Sequence, residues 1–313
     1  MNARGPKLSQ RPASTIAAPY TVREVRDAAP SEWDGWLRKS PGGGHVLQSY
    51  AWGEFKRRSH WRPLRLVLER NGEVAGVGQF LAYNTMPVPG FLVYCSKGPW
   101  LPWQDKEAVR AFFKGAAHIA GRAGAHTLKI EPELPGRSAE VKDLLDDIGF
   151  HEARYALNFD TTVTLDLSLP EEELLARMNK TTRYKVRRAT REGVEIVEPE
   201  DFEAAWETFY GWLEDTAERK PGFTIRRPRE YLHDMMRVMR WAKQRGIRYF
   251  DMVGIPKPED RHEDDPYYGV YRFKIGFGGE VTDFLGCLDL PIKNARAKAW
   301  YRLEPAYYRS ITS

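Results

Sequence analysis

The 313-residue chain is 42% hydrophobic and 29% charged, which fits a folded globular protein and excludes a disordered one. Its net charge of +5 permits an anionic partner without requiring one. No run of about 18 apolar residues occurs, so the sequence holds no candidate membrane-spanning helix. Its two cysteines, Cys95 and Cys287, lack zinc-type spacing and suit a reducing compartment.

Residues 1–20 have no apolar core segment and read as a disordered tail, not a signal peptide, which makes the cytoplasm the default location. Ser31–Leu37 reads as a helix, and Pro41–Gly44 breaks the chain before the segment Gln48–Lys56. Leu64–Glu69 and Glu73–Leu81 alternate around Asn71-Gly72, a strong hairpin signal. A strand is predicted at Phe91–Cys95, an amphipathic helix over Asp105–Ala123, a strand at Thr127–Glu131 and a helix over Ser138–Ile148. This order implies a layered α/β or α+β unit.

A second unit begins with a strand at Thr161–Leu167. Ser168 and Pro170, followed by Glu171, Glu172 and Glu173, mark a helix start. Seven basic residues follow from Arg177 to Arg191 with no acid among them, and the pattern places them on that one helix. Leu175, Met178, Thr182, Val186 and Ala189 would form its packing stripe. The broad cationic face would serve either as a solvated surface or as a phosphate platform. Further on the sequence predicts a strand at Val194–Val197, a helix over Asp201–Arg219, a strand at Arg248–Asp251 and a final helix over Ile292–Ser310.

Three segments combine rings and cations. In Gln48–Lys56, Trp52 and Phe55 would pack inward with Lys56 near the surface. In Thr224–Tyr231, Pro228 sets a helix start and leaves Arg226 and Arg227 at its positive end, a placement that favours a bound anion. Tyr267–Glu280 reads as a strand with Tyr271, Phe273 and Phe277 on one face and Arg272 and Lys274 on the other, suited to a nucleotide or RNA end. Glu131, Glu133 and Asp251 are strand-end carboxylates, placed either as ordinary loop residues or as general bases. The seven histidines form no metal-ligand pair, and neither a nucleophile elbow nor a Walker loop occurs.

Taken in order, several stretches resemble the FemABX peptidyltransferases, which add amino acids from aminoacyl-tRNA to peptidoglycan precursors. They are Gln48…Trp52…Lys56, Ser96-Lys-Gly-Pro99, Lys129-Ile-Glu-Pro-Glu133, Lys180–Ala189 with Gly193-Val194, Arg227-Pro-Arg-Glu-Tyr231, Tyr249–Ile255 and Tyr271–Phe277. The resemblance implies two tandem GNAT-like acyltransferase domains of the α/β (α+β) class, with the C-terminal helix returning to the first. It divides the chain into a tail (1–20), a first domain (21–158 plus 290–313) and a second (159–289). The second is expected to be abridged, because Met239 runs directly into Arg240–Gly246, where the family continues through further strands.

Carried over by motif, Lys56 and Arg227 would grip the precursor pyrophosphate and Tyr231 would line the same cleft. Phe273 and Lys274 would serve the aminoacyl-tRNA acceptor end. For the proton of the attacking ammonium the candidates are Glu131, as general base, and the substrate or tRNA itself. Lys180, Arg183 and Arg187 would steer RNA or lipid phosphates. The implied reaction is transfer of an amino acid from aminoacyl-tRNA, a co-substrate, to the stem-peptide side-chain amine of UDP-MurNAc-pentapeptide or lipid II. It needs neither metal nor other cofactor, and a lipid-linked acceptor implies peripheral contact with the inner membrane leaflet. The competing readings are an acetyl-CoA-dependent GNAT acetyltransferase, whose pyrophosphate loop is not found here, and a non-catalytic RNA-binding module.

Overall fold

The computed structural model describes residues 19–40, 43–135, 138–193, 201–219, 249–256, 261–263 and 268–312. The expected strand Val194–Val197, the Arg227 and Tyr231 positions, the helix start at Pro228 and the shortened stretch after Met239 lie outside the described residues. So does the tail up to residue 18.

The larger sheet opens with β1 (Thr21–Glu24), β2 (Arg62–Arg70), β3 (Glu73–Asn84), β4 (Phe91–Ser96) and β5 (Ala125–Glu131). The much later β10 (Leu288–Pro291) follows β5, and the short β6 (His151–Glu152) closes the edge. Every neighbouring pair is antiparallel except β4–β5. That parallel pair is joined by α3 (Lys106–Arg122), the long crossover such a connection requires. The β2–β3 turn has Asn71 at φ 55° and Gly72 at φ 82°, both positive as a two-residue hairpin turn of this kind demands. Asp105 caps α3, its carboxylate accepting from the Glu107 and Ala108 N–H groups at 3.0 and 3.1 Å.

Helices cover both faces, so the central strands are buried on both sides and read as near-continuous apolar runs. Leu66, Leu68 and Phe80 pack with Phe112, Phe113 and Ala116 of α3 and with Leu144 and Leu145 of α4 (Ala139–Ile148). Alternation sends Val67 and Val77 to the opposite face, against Trp33 and Leu37 of α1 (Pro30–Arg38). Each such fully buried side chain contributes about 1.5–3 kcal/mol. On the α1 side also lies α2 (Tyr50–Arg57), held by Arg65, which donates to Gln79 Oε1 at 2.9 Å and Glu54 Oε1 at 3.0 Å.

The smaller sheet has β7 (Thr161–Asp166) between β8 (Tyr249–Asp251) and β9 (Glu280–Asp283), both antiparallel to it. Among the described residues its helices are α5 (Glu171–Arg177), α6 (Lys180–Arg191), α7 (Phe202–Arg219) and α8 (Tyr268–Ile275). The final helix, α9 (Asn294–Thr312), returns to the larger sheet and buries Ala297, Trp300 and Glu304 along one stripe. Beneath it Lys129 sits fully buried, its ammonium 3.1 Å from Asp289 Oδ1 and 3.7 Å from Glu304 Oε1.

Two sequence expectations are corrected here. The basic run is not one helix: Met178 is extended at ψ 144°, and Asn179 restarts the chain as α6 by accepting the Thr182 N–H at 2.8 Å. Residues 268–275 are helical, not a strand. Their rings pair at helical spacing, Tyr268 with Tyr271 at 6.0 Å and Phe273 with Phe277 at 5.1 Å. The glycines that follow end this helix and let it approach the α5–α6 junction. A Cβ on Gly276 would lie 2.4 Å from Thr182 Oγ1, and one on Gly278 would lie 2.1 Å from the Arg177 carbonyl oxygen.

Candidate functional site

The two sheets meet beyond the end of β5. There Pro135 bridges to Phe284, and the Leu285 N–H donates to the Leu134 carbonyl at 3.1 Å. Four ionisable side chains converge on this seam from distant parts of the chain: His45, Lys97, Glu133 and Asp251. The donor atoms of His45, Glu133 and Asp251 lie within 4.8 Å of one another.

Gln48 positions the first-sheet half of the seam. Fully buried, it donates to the Gln79 and Ser96 carbonyls at 3.1 and 2.6 Å and accepts the Gln79 N–H at 2.8 Å. This pins the short 3-10 turn Val46–Gln48, with His45 ahead of it, to the end of β4. His45 Nδ1 accepts the Leu47 N–H at 3.0 Å, which puts the proton of the neutral ring on Nε2, 3.8 Å from Glu133 Oε1. Burial, reinforced by the Lys97 charge, pushes the His45 pKa down to about 4, so the ring is neutral at physiological pH. Lys97 has a left-handed backbone at φ 51°, and its ammonium lies 4.3 Å from the Phe284 ring and 4.0 Å from Glu133 Oε1.

Glu133 is the group most altered by this setting. Burial and the nearby Asp251 carboxylate raise its pKa to about 7, against the opposing pull of Lys97. The carboxyl is therefore close to half-ionised at neutral pH, the condition that suits a proton acceptor. A cation is not needed to explain the trio of donors, because the Lys97 ammonium already supplies positive charge and His45 presents an N–H.

The second sheet supplies the other wall. Asp251 Oδ1 accepts from the Thr162 hydroxyl and, at 2.7 Å, from the Val253 N–H. Val253 itself has φ 58°, a conformation that is strained for a β-branched residue by about 1–3 kcal/mol. Lys274 holds that turn, its ammonium donating to the Val253 and Gly254 carbonyls at 2.6 and 2.7 Å. Burial lowers the Lys274 pKa, opposed by Asp251, and among the described residues two acceptors engage its three N–H donors. Backbone strain held in place by a lysine and an aspartate is characteristic of functional sites.

The remaining residues singled out by sequence fall in separate places. Glu131 is buried, and both its oxygens are engaged: Oε1 accepts the Leu157 and Asn158 N–H groups at 2.8 and 3.2 Å, and Oε2 accepts from Tyr94 Oη and Asn158 Nδ2. Phe273 is 60% exposed on α8, next to Lys274. Lys56 lies over the Trp52 and Trp61 rings at 5.7 and 5.1 Å. Lys180 and Arg187 are exposed on α6, whereas Arg183 is half-buried. Sequence reasoning missed His45 and Lys97 as site members. The only signal for Lys97 was its place in the Ser96–Pro99 turn, and His45 gave none.

The description of the FemAB family matches residues 28–238 and 230–304, together most of the chain. The chain belongs to the FemAB family. The two matched segments overlap at 230–238. Lipid II:glycine glycyltransferases of Staphylococcus aureus, from strains MRSA252 and NCTC 8325 / PS 47, are 30% identical over 203 residues. That alignment takes in 62% of this chain and 47% of theirs, so the chain spans about half the length of the curated relatives it matches. The crystal structure of FemX superposes with a TM-score of 0.65 at 17% identity, covering 89% of this chain and 100% of the FemX chain, and shows that the FemAB member described here shares its fold. No helix among the described residues is long and apolar enough to cross a membrane.

Proposed function

We propose that this FemAB protein transfers an amino acid from aminoacyl-tRNA to the stem-peptide side-chain amine of a peptidoglycan precursor, UDP-MurNAc-pentapeptide or lipid II. The observation that carries the reading is the match to lipid II:glycine glycyltransferases, which share 30% of aligned residues with this chain. The seam contributes groups that such a transfer uses. In the reaction the amine nitrogen attacks the ester carbonyl carbon, an amide C–N bond forms, the C–O bond to the tRNA ribose breaks, and the ribose hydroxyl leaves with a proton.

An alkylammonium near its ordinary pKa of about 10.4 must lose a proton before it attacks. Glu133 is the better base in this proposal, with its pKa near 7 and its carboxyl turned to the seam. Glu131 is bolted by four donors and serves to fix the β5 exit from which Glu133 projects. Lys274 would turn its third N–H toward the developing oxyanion, with Phe273 stacking the terminal base of the acceptor end. Lys56, Arg227 and Tyr231 would bind the precursor pyrophosphate. The ester is already activated, so positioning and proton removal suffice without a metal or a cofactor.

The test is to incubate the protein with charged tRNA pools and each precursor and to read mass increments on the stem peptide. One added aminoacyl residue on either precursor supports the reading. Acylation of amines from acetyl-CoA with no tRNA-dependent increment would overturn it.

A further inference from the structure

The structure sorts the seven cations of the basic run into two groups. Three are engaged within the α5–α6 unit, two by carboxylates and one by backbone carbonyls. Arg177 pairs with Glu173 at 2.6 Å and Arg188 with Glu192 at 2.7 Å. Arg183 donates to the Leu175 and Ala176 carbonyls at 3.4 and 3.1 Å, closing the end of α5. The other four, Lys180, Lys185, Arg187 and Arg191, are exposed and have no ion-pair partner among the described residues.

Three of those four share one face. Lys180, Arg187 and Arg191 stand at i, i+7 and i+11, and Tyr184, 56% exposed, fills i+4 between them. At 3.6 residues per turn the four fall within about 60° of arc and run about 16 Å along the helix. Thr182, Val186 and Ala189 turn to the half-buried side.

We propose that the Lys180–Tyr184–Arg187–Arg191 stripe of α6 is a track for the phosphate backbone of an RNA strand, with Tyr184 offering a ring on which an unpaired base stacks. The proposal rests on the RNA-ester reading above and assigns the part of the surface that carries the RNA beyond its reacting end. A nucleic-acid strand presents several phosphates over this length, and a cation–ring–cation stripe is the pattern that single strands use. The stripe also starts in the right place. The Asn179 N–H donates to the Gly276 carbonyl at 2.9 Å, so α6 begins where α8 ends, one turn beyond Phe273 and Lys274. A membrane surface fits less well, because a helix lying in lipid turns its apolar face outward, whereas that of α6 turns inward.

The test measures anisotropy of labelled deacylated tRNA against salt concentration for wild type, the triple variant Lys180→Gln/Arg187→Gln/Arg191→Gln, Tyr184→Ala and the off-stripe control Lys185→Gln. Melting curves check that each is folded, and co-sedimentation with equal-part phosphatidylcholine–phosphatidylglycerol vesicles is run alongside. The triple variant is expected to bind at least about tenfold more weakly, with the slope of log K against log salt reduced by about 2 to 3. Tyr184→Ala should weaken binding while keeping the slope, and Lys185→Gln should stay close to wild type. Unchanged tRNA affinity and slope in the folded triple variant would overturn the track, as would loss of vesicle binding alone. Transfer activity separates the two proposals: stripe-dependent tRNA binding without transfer leaves the track standing and breaks the function reading, whereas transfer with stripe-independent binding does the reverse.

Discussion

Two clusters, each of one lysine and two acids, lie within a few residues of each other along β5 and its exit, and they differ in access to water. Lys129, Asp289 and Glu304 are sealed, with side chains 0–1% exposed. Lys97, Glu133 and Asp251 line the seam, where the Lys97 and Glu133 side chains keep 10% and 17% exposure. In the sealed cluster the charges join three elements, and burial holds both carboxyls above their usual pKa range against the pull of the lysine. In the open one the same ingredients leave a partly exposed carboxyl with its pKa raised to about 7. Access, not composition, separates a structural ion cluster from a chemically useful one.

The contrast breaks most visibly at Lys129. Lys129→Met should destabilise the protein by about 3–5 kcal/mol, because two buried acids lose their counter-charge. Adding Asp289→Asn and Glu304→Gln should recover part of that loss in thermal melting, and a Lys129→Met protein that melts like wild type would refute the sealed role. Glu133→Gln should do the opposite, lowering kcat by about 100-fold or more with the melting temperature unchanged. A fall in melting temperature comparable to that of Lys129→Met would erase the distinction between the clusters.

Two pH measurements sharpen the comparison. With Glu133 as the proposed base, kcat/KM should rise with pH through about 7. Lys97→Gln removes a charge that holds this pKa down, so the limb should move to higher pH. The contribution of three raised acids to stability should run the other way. Asp289, Glu304 and Glu133 all have folded-state pKa values raised above their unfolded ones. Their own contribution to the unfolding free energy therefore falls as pH rises from about 4.5 through about 7. His45 and His126, with pKa values lowered to about 4, contribute in the opposite sense. Relative to wild type, Asp289→Asn/Glu304→Gln/Glu133→Gln should lose the falling part in denaturant titrations. The smallest effect belongs to the residue between the clusters. Tyr94→Phe removes one donor from Glu131 and should cost about 1 kcal/mol while leaving the pH limb in place.

The sequence made local features legible where one residue type has one physical use. Asn71-Gly72 announced its hairpin, and Asp105 marked the start of α3. The carboxylates Glu131, Glu133 and Asp251 were visible as strand-end residues, but which of them is bolted and which is open depends on contacts between distant segments. Glu131 is satisfied by Tyr94 and by residues 157–158, and Glu133 acquires its raised pKa from burial in the seam, with Asp251 adding to it and Lys97 opposing it. Nothing local to 131–133 encodes either. Tyr271 and Phe273 misled because alternation and helical spacing both fit so short a ring-rich run; the deciding contacts were at i+3 and i+4. The charge run misled for a related reason: Asn179 was read as an interior residue, yet it restarts the helix.

The place of β10 has a consequence for how the chain folds. It slots between β5 and β6 although the whole smaller sheet precedes it in sequence. Asp289 on β10 and Glu304 on α9 thus reach Lys129 from 160 residues or more away. During synthesis the larger sheet stays open beside β5 and Lys129 waits without its acids until that late segment arrives. Closing so long a loop is slow, and an uncovered strand edge invites the wrong partner in the meantime.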